Sequence, residues 1–356
     1  MKIGYSCWGF LGDGIKDTPD GGRSHRFTLI KELMSQGSKI IMLQKNRDLI
    51  ECNQDFSENN LSFNDDFPEI DAIFLEYRWQ ISGRNYQVDK SIPAYTSDFD
   101  RQSELINFYQ DKNIPIIIWD KDQKMDDIDA QKMRNSVVFE PALKPKFDRK
   151  TLLFPVDDKK IKVALKELKK YKKQDKIFDL AYIGNQYERD ASFREFVDYP
   201  ASKINTKTPI FGNWNKYEEK YKKNLLDFPH VTFMGRLEFS KVHSSYEKSF
   251  STALIAPERY YEAGQFTQRL FEAMWGLCIP FTPNKYDEIE KVILKDFIVD
   301  SGQELANKIT EFKEKSDSEI KELFEKQFKM LDLFKPDKQV KVIMEAIKSY
   351  YEQISK

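Results

Sequence analysis

The sequence predicts an α/β protein of two parallel-sheet domains facing a central cleft. Strand-like and helix-like segments alternate in two successive runs, which is the pattern of a parallel sheet covered on both faces. Strand candidates such as Ile114–Trp119 are apolar throughout, as strands buried on both faces are. The length of 356 residues suits two domains of ordinary size better than one.

In the first run, Lys2–Cys7 reads as a strand. Arg26–Gln36 is an amphipathic helix with Phe27, Ile30, Leu33 and Met34 on one side, ended by Gly37. Lys39–Leu43 and Asp71–Glu76 are further strands. Arg101–Lys112 is a helix closed by Asn113; Ile114–Trp119 and Ser136–Phe139 are strands. The boundary falls between Pro141 and Lys176, where three prolines precede a lysine-rich helix, Lys159–Lys173. The domains are therefore expected at 1–155 and 156–335. In the second run, Phe178–Ile183 is a strand running into Gly184-Asn185, and Ala191–Val197 a helix. Pro209–Gly212 and Val231–Gly235 are short strands, each closed by glycine. Lys241–Phe250 reads as a helix, Ala253–Ala256 as a strand, and Ile279–Phe281 and Phe297–Val299 as the last strands. From Gln303 the pattern is helical.

Composition excludes several function classes. Charged residues make up 32%, balanced to a net charge of -1, so no global field recruits nucleic acid and any DNA contact needs a local basic surface. Cys7, Cys52 and Cys278 have neither disulfide nor metal-ligand spacing, and with three histidines beside them a zinc site is not expected. No dedicated metal site is expected, although a divalent cation could accompany a phosphorylated ligand. No apolar run reaches membrane-spanning length, and the N-terminus reads as a strand, not a signal peptide. The expectation is a soluble, cytoplasmic monomer.

The most informative stretch is Ala253–Pro283. A strand leads into a loop with Glu258, Glu262 and Gly264, then a helix begins at Thr267-Gln268-Arg269 and ends at Gly276. Arg269 and Glu272 share a face, at the positive end of the helix dipole. An arginine with free backbone N–H groups suits a diphosphate, and a carboxylate one turn on suits ribose hydroxyls. A surface Arg–Glu pair is the plain alternative. Arg189, after Gly184-Asn185, is placed to reach the same diphosphate or to pair with Glu188 or Asp190. Gly212 and Gly235-Arg236-Leu237 end strands where a nucleobase could rest.

In the first half, the strand Ile114–Trp119 ends in Asp120-Lys121-Asp122. Asp120, with Asp122 second, is the candidate general base; a turn aspartate is the alternative. The glycine-rich loop Gly9–Gly22 brings Asp20, Arg23 and His25 toward the predicted cleft. Arg78-Trp79 and Arg84 combine cations with aromatics, which suits phosphate contact beside a flipped base; a core Trp with surface arginines is the plain alternative.

These blocks, FDLAYIGNQYERDASF, PIFGNW, VTFMGRL and ALIAPERYYEAGQFTQRLFEAM, resemble in order the C-terminal domain of the bacteriophage DNA β-glucosyltransferases. That family has the GT-B fold, two Rossmann-like domains, and moves glucose from UDP-glucose to hydroxymethylcytosine in duplex DNA. The resemblance covers about half of the chain. It implies a UDP-sugar as co-substrate, Arg189 and Arg269 at the diphosphate, Glu272 at the ribose and Arg236-Leu237 at the uracil. It further implies Asp120 as the base, duplex DNA with modified bases as partner, a host cytoplasm if the chain is phage-encoded, and a final helix, 336–356, packing back on the first domain. The same blocks also resemble CgeB-like GT-B transferases, whose acceptors are not DNA. A binding module that has lost its base is the non-enzyme alternative. Gly264 stands eight residues before Glu272, where retaining enzymes carry a second Glu, and this favours inversion.

Overall fold

A computed structural model describes residues 1–8, 10–12, 24–80, 98–204, 206–214 and 228–355. The chain divides into two compact units, Met1–Pro155 with Phe334–Lys356, and Val156–Leu333.

The first unit runs β1 (Lys2–Ser6), α1 (Arg26–Ser35), β2 (Lys39–Met42), α2 (Arg47–Cys52), β3 (Ser62–Phe63), β4 (Ala72–Glu76), α3 (Asp98–Asp111), β5 (Ile116–Trp119), α4 (Asp127–Lys132), β6 (Ser136–Glu140) and β7 (Lys150–Thr151). Its seven strands lie in the order β3-β2-β1-β4-β5-β6-β7, and every neighbouring pair is parallel. The order reverses between β1 and β4, where a parallel sheet opens a crevice beyond its carboxyl ends. Ile73 and Leu75 of β4 and Ile116 and Ile118 of β5 pack against Leu105, Ile106 and Tyr109 of α3. Each such side chain contributes roughly 1.5–3 kcal/mol when fully buried. Polar caps set the short helices: the Asn46 side chain accepts from Leu49 N–H ahead of α2, and that of Asp126 from Asp129 N–H ahead of α4.

The second unit runs α5 (Asp158–Leu168), β8 (Phe178–Ile183), α6 (Asp190–Phe193), a π-helical turn (Arg194–Asp198), α7 (Tyr199–Ala201), β9 (Pro209–Phe211), β10 (Thr232–Gly235), α8 (Val242–Glu247), β11 (Ser249–Ala253), α9 (Glu258–Glu262), α10 (Gln268–Trp275), β12 (Ile279–Pro283), β13 (Ile298–Val299), α11 (Gly302–Glu314) and α12 (Asp317–Met330). Its sheet has the order β10-β9-β8-β11-β12-β13, again parallel, with the reversal between β8 and β11.

The last helix, α13 (Pro336–Ile354), belongs to the first unit. Gln339 Oε1 accepts from Leu153 N–H at 2.8 Å, and the Tyr350 and Tyr351 hydroxyls donate to the carbonyls of Asn113 and Asp71.

Two expected elements move. The strand expected at Ala253–Ala256 is Ser249–Ala253, and the helix before it shortens to Val242–Glu247. The Ser249 and Ser251 hydroxyls donate to the carbonyls of Ser245 and Asp179, so two polar residues sit in a buried strand at little cost. The loop expected at 258–264 is largely helical, as α9.

Candidate functional site

The site begins at the carboxyl end of β8. Tyr182 is fully buried, and two arginines converge on its hydroxyl. Arg269 Nη1 donates to it at 2.7 Å and Arg189 Nη1 at 3.1 Å. Arg269 sits in the first turn of α10, whose N-cap Thr267 makes no side-chain cap bond and whose first turn holds no acidic residue. The first backbone N–H groups of α10 are therefore left without a side-chain cap. Glu188 pairs with Arg259, and Asp190 accepts from Gln186. Neither arginine has a carboxylate partner among the described residues, and Arg189 Nε is buried without any hydrogen bond. Two guanidiniums and the positive end of a helix thus share one place, with no carboxylate on either arginine among the described residues, and this arrangement suits an anion.

Tyr182 reports the field. Burial raises its pKa, but the Arg189 and Arg269 guanidiniums outweigh burial and hold the phenol below its ordinary 10.0. Tyr246 and Tyr286, equally buried, are pushed well above that value, by burial first.

Two of the three glycines at these strand ends let backbone close on this point. Gly184, Gly212 and Gly235 stand at the carboxyl ends of β8, β9 and β10. A Cβ on Gly184 would lie 2.8 Å from the Tyr182 hydroxyl and 3.2 Å from Arg269 Nη1. A Cβ on Gly212, at φ +150°, would lie 2.1 Å from the Gly184 carbonyl oxygen. Gly212→Ala is therefore expected to cost about 2–4 kcal/mol of stability; chemical denaturation checks it, and a loss below about 1 kcal/mol would sink the argument. Asn185 Oδ1 accepts from Asn213 N–H at 2.7 Å, and Trp214 Nε1 donates to the Gly184 carbonyl at 2.9 Å. Leu237 packs with Ile183 and Ala273, at the base of α10, while Arg236 is exposed. Glu272 is half-buried, and it adds to the rise of the Tyr246 phenol. Gln268 is half-buried in the first turn of α10. Glu258 and Glu262 are exposed on α9 and Gly264, at φ +62°, is buried. A crevice beside Arg269 is lined by Leu254, Ile255, Phe266, Thr267, Leu270 and Tyr286.

In the first unit, β4 ends in Glu76, which is 1% exposed. Its carboxylate accepts from Arg26 at 2.6 and 2.8 Å, Tyr5 Oη at 2.7 Å and Lys121 Nζ at 2.5 Å. Burial by itself raises the Glu76 pKa, but Arg26 and then Lys121 overcome it and hold the group well below its ordinary 4.5.

Asp120 follows β5 and is fully buried. Its Oδ1 accepts from Lys124 N–H at 3.0 Å, and Oδ2 from Met125 N–H at 2.8 Å and Arg149 Nη1 at 3.2 Å. That is the turn geometry the sequence left open for it, with three donors already on the carboxylate. Asp122 is half-buried. His25 does not reach an open face: it is 2% exposed, packed between Trp119 and Phe154. Arg78 is 4% exposed; Nη2 donates to Ser6 Oγ at 3.0 Å, while Nε and Nη1 are buried without partners. Trp79 is half-buried. Asp20, Arg23 and Arg84 lie outside the described residues.

Sequence reading missed Tyr182, Glu76 and Arg149. A tyrosine inside an apolar strand reads as core, and the buried charges have partners 9 to 50 residues away in the chain. Among the described residues, no group of three His, Cys, Asp or Glu could hold a metal ion, and no helix is long and apolar enough to cross a membrane.

No family model and no curated protein matches the sequence. Among solved structures the chain is similar to T4 phage β-glucosyltransferase, at 16% identity and a TM-score of 0.62, over 98% of this chain and 99% of that one. It is similar to Anabaena HepE, solved with UDP-glucose, at 12% identity and a TM-score of 0.57, over 100% and 99%. It is also similar to AviGT4, a glycosyltransferase of avilamycin A biosynthesis, at 9% identity and a TM-score of 0.58, over 98% and 97%. The architecture is therefore GT-B, two α/β units with parallel sheets of seven and six strands.

Proposed function

We propose that the protein is a glycosyltransferase that binds a UDP-sugar in its second unit and transfers the sugar to a hydroxymethylated pyrimidine of duplex DNA. One observation carries the donor site: Arg189 and Arg269 meet at Tyr182, beside an uncapped helix N-terminus, without a carboxylate. A diphosphate supplies the missing charge, and the same cations stabilise the charge that grows as UDP departs. Glu272, one turn on, takes the ribose hydroxyls, and Leu237 with Arg236 lies at the base. T4 phage β-glucosyltransferase and HepE were both solved with UDP-glucose, which supports this donor class. A divalent cation, where present, would ride on the diphosphate.

In the proposed step a base takes the proton of the acceptor hydroxyl, and the oxygen attacks the anomeric carbon. The bond from that carbon to the phosphate oxygen breaks, and UDP leaves with the electron pair. Inversion is favoured because Gly264, eight residues before Glu272, holds a left-handed φ of +62° that disfavours a carboxylate side chain there. Asp120 is the proposed base, from its place at the end of a central strand. Its present hydrogen bonds require the 120–125 turn to release Oδ2 when the acceptor arrives. Asp122 is the second candidate.

The DNA acceptor rests on the T4 phage likeness. A second reading, transfer to a non-DNA acceptor, is favoured by the comparable likeness to AviGT4. A panel of UDP-sugars with duplex DNA containing 5-hydroxymethylcytosine or 5-hydroxymethyluracil, read by nucleoside mass spectrometry, separates them. The expected result is a mass increase on one modified nucleoside. UDP release by hydrolysis alone would keep the donor site and reject the DNA acceptor. Asp120→Asn is expected to lower transfer at least about a hundredfold, the scale of general-base catalysis, while UDP-sugar binding persists. If Asp120→Asn transfers normally and Asp122→Asn does not, the base is Asp122.

A further inference from the structure

Phe147, in the loop joining β6 to β7, is the most exposed large apolar side chain of the described residues, at 91% against 63% for the next, Ile128. Lys144, Lys146 and Lys150 flank it, all exposed. A single exposed phenylalanine needs no explanation, but this one stands on a built loop. Lys146 N–H donates to Glu140 Oε2 at 2.9 Å, Arg149 N–H to the Lys146 carbonyl at 3.0 Å, and Asp148 holds φ +65°. The Arg149 guanidinium, buried two residues beyond the ring, donates to Glu140, Asp120, Asp127 and the Met125 carbonyl. One arginine with four partners fixes the backbone beside Phe147, so the loop is braced in a shape that leaves the ring in water. The same guanidinium grips Asp120, tying the ring to the carboxyl edge of the sheet.

We infer that the β6–β7 loop is a contact for duplex DNA, in which the Phe147 ring packs against bases and Lys144, Lys146 and Lys150 reach the flanking phosphates. An apolar wedge with three lysines and one exposed carboxylate, Asp148, around it keeps a net positive charge, which a stacked, polyanionic partner complements. Asp127, in the acidic first turn of α4, is met by Arg149, so the phosphate attraction is assigned to the three lysines alone. This rests on the DNA-acceptor reading above.

The test measures binding of a 20-base-pair hydroxymethylated duplex by fluorescence anisotropy across a salt series, with UDP binding as the control. Phe147→Ala is expected to weaken duplex binding about tenfold and leave UDP binding unchanged. Phe147→Trp is expected to keep the affinity and to show fluorescence quenching when duplex is added. Replacing the three lysines by alanine is expected to flatten the slope of log K against log salt by about 2 to 3, near 0.9 for each lost phosphate contact. Duplex affinity and salt slope within twofold of wild type in every variant would overturn this inference alone. A wild-type protein that binds UDP but no duplex at low salt would overturn it together with the DNA-acceptor reading. Self-association without DNA that Phe147→Ala abolishes would give the loop to a second copy instead.

Discussion

Arg269→Ala is expected to lower kcat/KM for the UDP-sugar by about a thousandfold, or about 4 kcal/mol of transition-state stabilisation, the scale of losing one preorganised charge donor. The cause is specific to this fold. Arg269 stands where α10 begins and, among the described residues, no carboxylate neutralises it, so on the proposed reading its charge is available to a phosphate oxygen and grows in value as UDP departs. The same lack of a carboxylate sets a second expectation. In the free protein two guanidiniums repel each other across the Tyr182 hydroxyl, so Arg269→Ala should be at least as stable as wild type. A third readout is the phenol itself. With one cation gone, the Tyr182 pKa should rise toward those of its buried neighbours, seen as a later phenolate absorbance in alkaline titration. Donor affinity and turnover within threefold of wild type would end the donor-site reading. A marked loss of stability would show that Arg269 is held for structure.

Glu76→Gln is expected to destabilise the first unit by about 3–5 kcal/mol, because it strands Arg26 and Lys121 in the interior without their anion. At about 2–4 °C per kcal/mol for a unit of this size, the midpoint should fall by about 10 °C. The pH dependence follows from the depressed pKa of Glu76. A carboxyl held below its unfolded value adds stability that is fully present above the ordinary value of 4.5. That stability fades as pH falls from there through the lower folded value. Wild type should therefore lose stability steeply on acidification below about pH 4.5, and Glu76→Gln should lose less over the same range. Denaturant titrations at several pH values test both. A loss under about 1 kcal/mol at pH 7, or parallel pH profiles, would mean that the cluster is open to water.

Much of the second unit was legible because its signals are local. Thr267 through Gly276 carries a helix start, an apolar face and a glycine stop within ten residues, and α10 forms there. The glycines that close β8, β9 and β10 are likewise readable, since a crowded strand end, at Gly184 and Gly212, or a left-handed turn, at Gly235, favours a residue without a Cβ. Ser249–Ala253 was not legible. Its alternating serines look like a helix end or turn until each hydroxyl is given its carbonyl acceptor. The position of His25 after a glycine-rich stretch suggests a place near a ligand, yet the aromatic slot formed by Trp119 and Phe154 closes over it.

The sequence by itself determined the two alternating runs, the apolar strands, the helix that begins at Thr267 and the set of charged residues at strand ends. These follow from periodicity and backbone propensity, which act over one or two turns of chain. Only the tertiary structure decided which of those charges are satisfied. Glu76 gains Arg26 and Lys121, and Asp120 gains Arg149, so both are enclosed. Arg189 and Arg269 gain only neutral acceptors among the described residues, the Tyr182 and Thr267 hydroxyls and the Asn185 carbonyl, and so keep their charge for an anion. Burial and pairing of a charge depend on partners brought together from distant parts of the chain, and the desolvation that makes such a charge structural or functional does not exist until they meet.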